Sequence, residues 1–291
     1  MDTAKKIFIL ICFLLFSILS SSNILGQNNS FVFLVISDVH ISNDTSRDNK
    51  LKKFVEEINN KKFGNVDFLV VTGDIVSSYF SDRNKPNDIR NNRSLKVAAI
   101  LAKLKIPYYL GLGNHDYKID KNKDSDEPFS FQEIYKMETL WKKSAGIKPY
   151  YKFEHKRWKF ILLNSMRGRY LDRSFDNDQM RMLKDELSGG GPAFLFFHHP
   201  IKTDHFRIWC KPGDLITEKR EPEFFSILRK YRNQIKGIFV GHGHMWNHDV
   251  LYDSIKVYET NTFGERKGQS FYNVEPKIGG NNFKIKKFEK K

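Results

Sequence analysis

The 291-residue chain is 40% hydrophobic and 14% aromatic, proportions that exclude a disordered or low-complexity protein. Its two cysteines, Cys12 and Cys210, exclude a disulfide scaffold. A formal charge of +15 favours anionic partners such as phosphate esters, nucleic acid or acidic surfaces without choosing among them.

The chain opens with Lys5 and Lys6, an apolar run of 13 residues over positions 7–19, and then small and polar residues. That order of charge, apolar core and small residues is the layout of a signal peptide. The run is short of the ~20 residues that a membrane-spanning helix needs. The expectation is therefore that residues 1–26 form a leader, cut after Ser22 or Gly26, and that one secreted or periplasmic domain over residues 27–291 remains with no membrane span. Its loss would remove Cys12, Lys5, Lys6 and Asp2, leaving one cysteine and a net charge lower by one.

From Phe31 onward, short apolar runs alternate with amphipathic stretches. The runs at 31–37 (FVFLVIS), 66–73 (VDFLVVTG), 106–113 (IPYYLGLG), 193–197 (AFLFF) and 235–241 (IKGIFVG) suit strands buried on both faces. Between them Leu51, Phe54, Val55 and Ile58 recur at helical spacing, as do Leu95, Ala98, Leu101 and Ala102, and Met180, Leu183 and Leu187. Residues 150–155 and 158–165 read as a hairpin or adjacent strands, and 250–263 as further strand. The C-terminal FKIKKFEKK reads as an edge strand whose lysines block further pairing. The alternation is that of an α/β domain.

The apolar runs end in polar residues of one kind. The first is followed by Asp38-Val39-His40, the second ends in Gly73-Asp74, and the third leads into Gly113-Asn114-His115-Asp116. The fourth leads into His198-His199-Pro200, and the last into Gly241-His242-Gly243-His244. A lone His-x-His in a loop is more readily a polar turn than a ligand pair. Five strand ends together are not, because ligands of α/β sheets bind beyond the carboxyl ends of the strands, and six of the nine histidines gather there. Imidazoles, carboxylates and an amide are ligands for borderline divalent metals, and there are more of them than one ion needs. Two ions held about 3.5 to 4 Å apart by a shared carboxylate activate a bridging water and clamp the oxygens of a displacement at phosphorus.

Taken in order over Ser37 to His244, these residues resemble the calcineurin-like metallophosphoesterase family, whose pattern runs Asp-x-His, Gly-Asp, Gly-Asn-His-Asp/Glu, His, Gly-His-x-His. The resemblance implies a two-sheet β sandwich flanked by helices in four layers. It implies that Asp38, His40 and His244 hold one divalent ion (Mn, Fe, Zn or similar), that Asn114, His198 and His242 hold the other, and that Asp74 bridges them. His115 would stand over the leaving group as general acid. Two positions depart from relatives within that family. Ser77 stands where purple acid phosphatases carry a tyrosine for ferric iron, and "GDIVSSY" lacks the Asp-Arg pair of the protein phosphatases. Whatever orients His115 or holds a further phosphate oxygen must then come from elsewhere, with Arg167, Arg169, His199 and His205 as candidates by position. His199 is expected at the rim, without a catalytic role. The segments 78–94, 117–146 and 201–220 follow the metal-bearing strand ends and are expected to shape the pocket.

The reading is an exported hydrolase of phosphate mono- or diesters. Its alternatives are a nuclease, possible on charge but not favoured, and a silent metal-containing binding protein, against which the complete ligand set and His115 argue. N-terminal sequencing of the exported protein is expected to begin at Asn23 or Gln27, and an intact Met1 on a soluble cytoplasmic pool would contradict the leader.

Overall fold

Asp44, Asn92, Ser130 and Asp176 each turn a side-chain oxygen back onto the first turn of a helix, and these caps set where four of the helices begin. The computed structural model describes residues 30–82, 84, 91–122, 129–167, 174–204, 215–264 and 268–289. The leader with Cys12, together with Arg169, His205 and Cys210, lies outside the described residues. In chain order the elements are β1 (Phe33–Ile36), α1 (Thr45–Asn59), β2 (Phe68–Val71), α2 (Arg93–Leu101), β3 (Tyr108–Leu110) and a 3-10 turn (His115–Tyr117). Then come α3 (Phe131–Ala145), β4 (Tyr151–His155), β5 (Trp158–Leu162), α4 (Asn177–Ser188), β6 (Ala193–Phe196) and α5 (Pro222–Lys230). Last are β7 (Ile235–Val240), β8 (Asn247–Leu251), β9 (Ile255–Glu259), β10 (Ser270–Pro276) and β11 (Phe283–Glu289).

The strands form two mixed sheets, ordered β11-β10-β1-β2-β3 and β4-β5-β6-β7-β9-β8. In the first, β1, β2 and β3 run parallel, and β10 lies antiparallel to both of its neighbours, β1 and β11; in the second, β5, β6, β7 and β9 are parallel with β4 and β8 antiparallel at the edges. Alternation along each strand sorts the side chains by kind. Phe33, Phe68, Phe160, Phe194, Phe196 and Phe239 share one cluster, which joins strands of both sheets. Leu34, Ile36, Leu69 and Val71 join α1, α2 and α3 in a second cluster, and Leu195, Ile238 and Val240 join α4 and α5 in a third. The result is four layers, helix, sheet, sheet, helix, as the resemblance implied. Phe33 stacks on Phe68 at 5.2 Å and meets Phe160 and Phe194 edge-on at 5.3 and 5.4 Å, so ring packing fastens one sheet to the other. Gly237 makes room for this, since a Cβ there would come within 3.2 Å of the Phe194 ring.

Several expectations need correction. In α2 the buried apolar face is Val97, Ile100 and Leu101, whereas Leu95 and Ala98 are half-buried and Ala102 is exposed. Arg93 and Ser94 take buried places in that helix. Strand β3 is an edge, so Tyr108 and Tyr109 are only partly covered. The segment 117–146 is not mainly pocket wall: it contains α3, whose Ile134, Met137 and Trp141 are buried against the first sheet's cluster. Helix α5 and strand β10 were not expected from the sequence, and β10 is the strand that joins β11 to β1. The C-terminal segment is indeed an edge strand, β11, with Lys284, Lys286 and Lys287 exposed. Among the described residues no helix is long and apolar enough to cross a membrane.

Candidate metal centre

The parallel strands of both sheets deliver their carboxyl ends to one place. There the loops after β1 and β2 are zipped together: Asp38 N donates to Gly73 O at 3.1 Å, His40 N to Asp74 O at 2.9 Å and Ile41 N to Ile75 O at 3.0 Å. The loops after β6 and β7 meet likewise through Gly241 N and His198 O, 2.9 Å apart. The chain beyond β9 closes the gap between sheets, with Phe263 N and Gly264 N donating to Ser37 O and Asp38 O, both at 2.9 Å.

All seven residues expected as ligands are brought together. Asp38 Oδ1 is 3.2 Å from His244 Nε2 and 3.7 Å from His40 Nε2, and the two imidazole nitrogens are 3.1 Å apart. Asn114 Oδ1 lies 3.1 Å from His198 Nε2 and 3.2 Å from His242 Nδ1. Asp74 Oδ2 reaches both sets, 3.7 Å from His40 Nε2 and 3.2 Å from His198 Nε2. Asp38, His40, Asp74 and His244 each place a donor atom within 4.8 Å of the others'. Metal-bound nitrogen and oxygen donors lie about 2.0–2.2 Å from their ion, so donor atoms spaced like these would fit around divalent cations. Each expected set draws on both sheets.

The chemistry of the donors fits cations as well. Asp38 and Asp74 are buried to within 1% of complete exclusion from solvent. Burial alone would push Asp38 up, but hydrogen bonds with His244 and His40 outweigh it and hold the carboxyl well below the usual range. For Asp74 burial is likewise overcome, here chiefly by the charges of His198 and His115. His198 is the complement: burial opposes its protonation, yet the charge of Asp74 raises it to about 9. Two ionised carboxylates out of water demand positive charge. His198 Nδ1 donates to Thr72 O at 3.2 Å, which leaves Nε2 as the ligand atom.

Backbone strain marks the same residues. Asp38, His40, Asp74, His242 and His244 all have positive φ, between 50° and 76°. For residues other than glycine that region costs of the order of 1–3 kcal/mol each, and such strain gathers where a ligand geometry is enforced. Neighbouring glycines admit the close approach. A Cβ on Gly113 would lie 2.3 Å from Asp74 Oδ1, and one on Gly241 1.8 Å from Ser37 Oγ.

His115 stands partly exposed beside this cluster, its ring 4.7 Å from that of His40. Its N–H donates to Asp74 Oδ1 at 2.8 Å, and its Nδ1 lies 3.1 Å from Ser77 O. That carbonyl holds the ring at the place where the Asp-Arg pair is missing. Burial is the largest influence on His115 and pushes its pKa below the usual histidine value, against the charge of Asp74. Asp116 completes the clamp: Oδ2 accepts from Gly113 N at 2.8 Å and Oδ1 from Val76 N at 3.1 Å. Burial, then Asp74's charge, raises its carboxyl to about 8.

The other candidates are settled differently. Arg167 pairs with Glu138 at 3.2 Å and Asp176 at 3.0 Å, so its guanidinium is committed to carboxylates. His199 is fully buried rather than at the rim, with Nδ1 2.7 Å from Ser165 Oγ. Glu259, not singled out in the sequence, is wholly buried, and its Oε1 accepts from Gly243 N at 3.0 Å. Burial and Asp38's charge push its carboxyl well above the usual range. Its one signal was a glutamate closing the apolar run IKVYE.

A model of the calcineurin-like phosphoesterase family matches residues 31–246. The chain is 25% identical, over 218 residues, to a probable cyclic nucleotide phosphodiesterase of Fibrobacter succinogenes, covering 72% of this chain and 71% of that one. Its fold is similar to that of a dimetal phosphatase from Danio rerio, with a TM-score of 0.60 at 14% identity over 88% of this chain and 95% of the other. It is also similar to GAP50, the anchor in the inner membrane complex of Plasmodium, with a TM-score of 0.52 at 13% identity over 89% and 84% of the two chains.

Because Asp74 reaches both ligand sets, Asp74→Asn is expected to weaken both ions together, while Asp38→Asn weakens mainly the ion held with His40 and His244. Metal analysis of the purified variants checks this, and an Asp74→Asn protein that keeps two ions per chain and normal turnover would remove the bridging role.

Proposed function

The chain belongs to the calcineurin-like phosphoesterase family and is a metal-dependent phosphoester hydrolase, and on that premise we propose that it is an exported enzyme of small phosphate mono- or diesters with His115 as its general acid. The observation that carries the reading is a complete ligand set with His115 tied to the bridging carboxylate through its own N–H, at 2.8 Å. Two divalent ions, when bound, supply an activated water and neutralise phosphate oxygens. The chain's own residues do the rest. Asp74 fixes the backbone of His115, Ser77 O turns its ring, and Nε2 would protonate the departing oxygen. The relative from Fibrobacter succinogenes makes diesters, cyclic nucleotides among them, the first substrates to assay. Export rests on the layout of the leader. A polynucleotide substrate is the alternative that the charge favours, and cleavage of oligonucleotides but not small esters, falling steeply with salt, would move the reading to a nuclease.

His115→Ala is expected to slow alkyl esters by about 10² to 10⁴, the range of general acid catalysis, and nitrophenyl esters far less, because an acidic phenol leaves unaided. In the wild type the alkyl-ester rate should fall as pH rises through the lowered pKa of His115, where the acid form is lost. Equal losses for both ester types, with metal content unchanged, would make His115 a positioning group instead, and loss of metal would make it a ligand.

A further inference from the structure

We propose that Glu259, which is not among the expected ligands, is a positioning residue that sets the turn carrying His242 and His244 and so the separation of the two ion sites; this rests on the dimetal reading above. The turn over residues 241–244 has three consecutive amide groups anchored from three directions. Gly241 N donates to His198 O at 2.9 Å, His242 N to Asp38 Oδ2 at 3.1 Å, and Gly243 N to Glu259 Oε1 at 3.0 Å, the last shared with Gly241 O at 3.0 Å. Two of those side-chain and backbone anchors belong to expected ligands. Glu259 has no such second task.

Its place in the fold suits it to be a fixed post. It ends β9 directly beside Val240, the last residue of β7, so it is registered against the strand that leads into the turn. Its own carbonyl accepts from Tyr272 Oη of β10 at 3.2 Å, a tie to the opposite sheet. Along Ile255, Val257 and Tyr258 the strand is apolar and buried, and a carboxyl there is costly unless it is used. The bond to Gly243 N is the only hydrogen bond its side chain makes among the described residues.

Gly243 is the residue between the two ligands. His242 turns toward Asn114, with 3.2 Å from Nδ1 to Oδ1, while His244 turns toward Asp38 and His40, at 3.2 and 3.1 Å. Fixing the Gly243 amide fixes the peptide plane between His242 and Gly243, and hence how far the two imidazoles diverge. Both histidines are held at positive φ, 76° and 56°, a geometry that relaxes if the anchor is removed.

The test is calorimetric titration of metal-stripped full-length protein with Mn²⁺, for the wild type, Glu259→Gln, Glu259→Ala and Glu259→Asp, alongside the melting temperature of each metal-free protein. Glu259→Ala and Glu259→Asp are expected to bind Mn²⁺ about 10- to 100-fold more weakly, the loss typical of a residue that orients ligands. The melting temperature without metal should stay near that of the wild type. Glu259→Gln, which presents an oxygen at the same reach, is expected to restore the affinity. If Glu259→Ala fails to fold, Glu259→Asp decides, because it keeps the carboxyl and withdraws it by one methylene. Wild-type affinity for both ions in Glu259→Asp, or a Glu259→Gln protein as weak as Glu259→Asp, overturns the inference alone. A wild-type chain that binds fewer than two ions overturns the dimetal reading and this inference with it.

Discussion

Asp38 and Asp74 are carboxylates removed from water between the ends of two sheets, at 0% and 1% exposure. Taking a carboxylate out of water costs several kcal/mol even after the protein relaxes, so their presence commits the surroundings to supplying positive charge. Imidazoles stand against both, and Asp74 Oδ2 faces His40 on one side and His198 on the other, where it would bridge two cations. Five ligand residues in the left-handed region are a second cost at the same place. The backbone ladder between the loops after β1 and β2, and the carboxylate of Asp116 across the loops after β2 and β3, hold that geometry before any ion arrives.

Such a centre needs two sheets that do not slide. Each of the two expected ligand sets comes from both, so a shift of one sheet would open both sets together. The aromatic layer between the sheets resists this, because rings such as Phe33 and Phe160 interlock edge to face and are too large to slip past one another. The aliphatic faces are turned outward to the helices, where small adjustments do not reach the ligands.

The strand ends were legible because strands buried on both faces read as unbroken apolar runs, and each polar residue that interrupts such a run must be there for a reason. The faces of the helices were less so. Leu95 and Ala98 keep helical spacing, but the cap at Asn92 and the packing of α2 between α1 and α3 turn Val97, Ile100 and Leu101 inward instead. Helix α3 did carry a signal, the capping box of Ser130 and Glu133 ahead of Ile134, Met137 and Trp141. The orienting partner of His115 was hidden for a different reason: the carbonyl of Ser77 is main chain, and no residue type announces it. Glu259 lay hidden because its partner, the Gly243 amide, is 16 residues away and meets it only through the pairing of β7 with β9.

The departures from related phosphatases also find their place. Ser77 does not stand in for a metal-binding tyrosine; its N–H donates to Ile41 O at 3.0 Å and its carbonyl faces His115. Two ions joined by one carboxylate oxygen and held by both sheets would be the centre of the proposed chemistry. Anomalous diffraction from crystals loaded with Mn²⁺ measures this directly. Two peaks about 3.5 to 4 Å apart on either side of Asp74 Oδ2 are predicted. A single peak, or peaks that do not share Asp74, would contradict it.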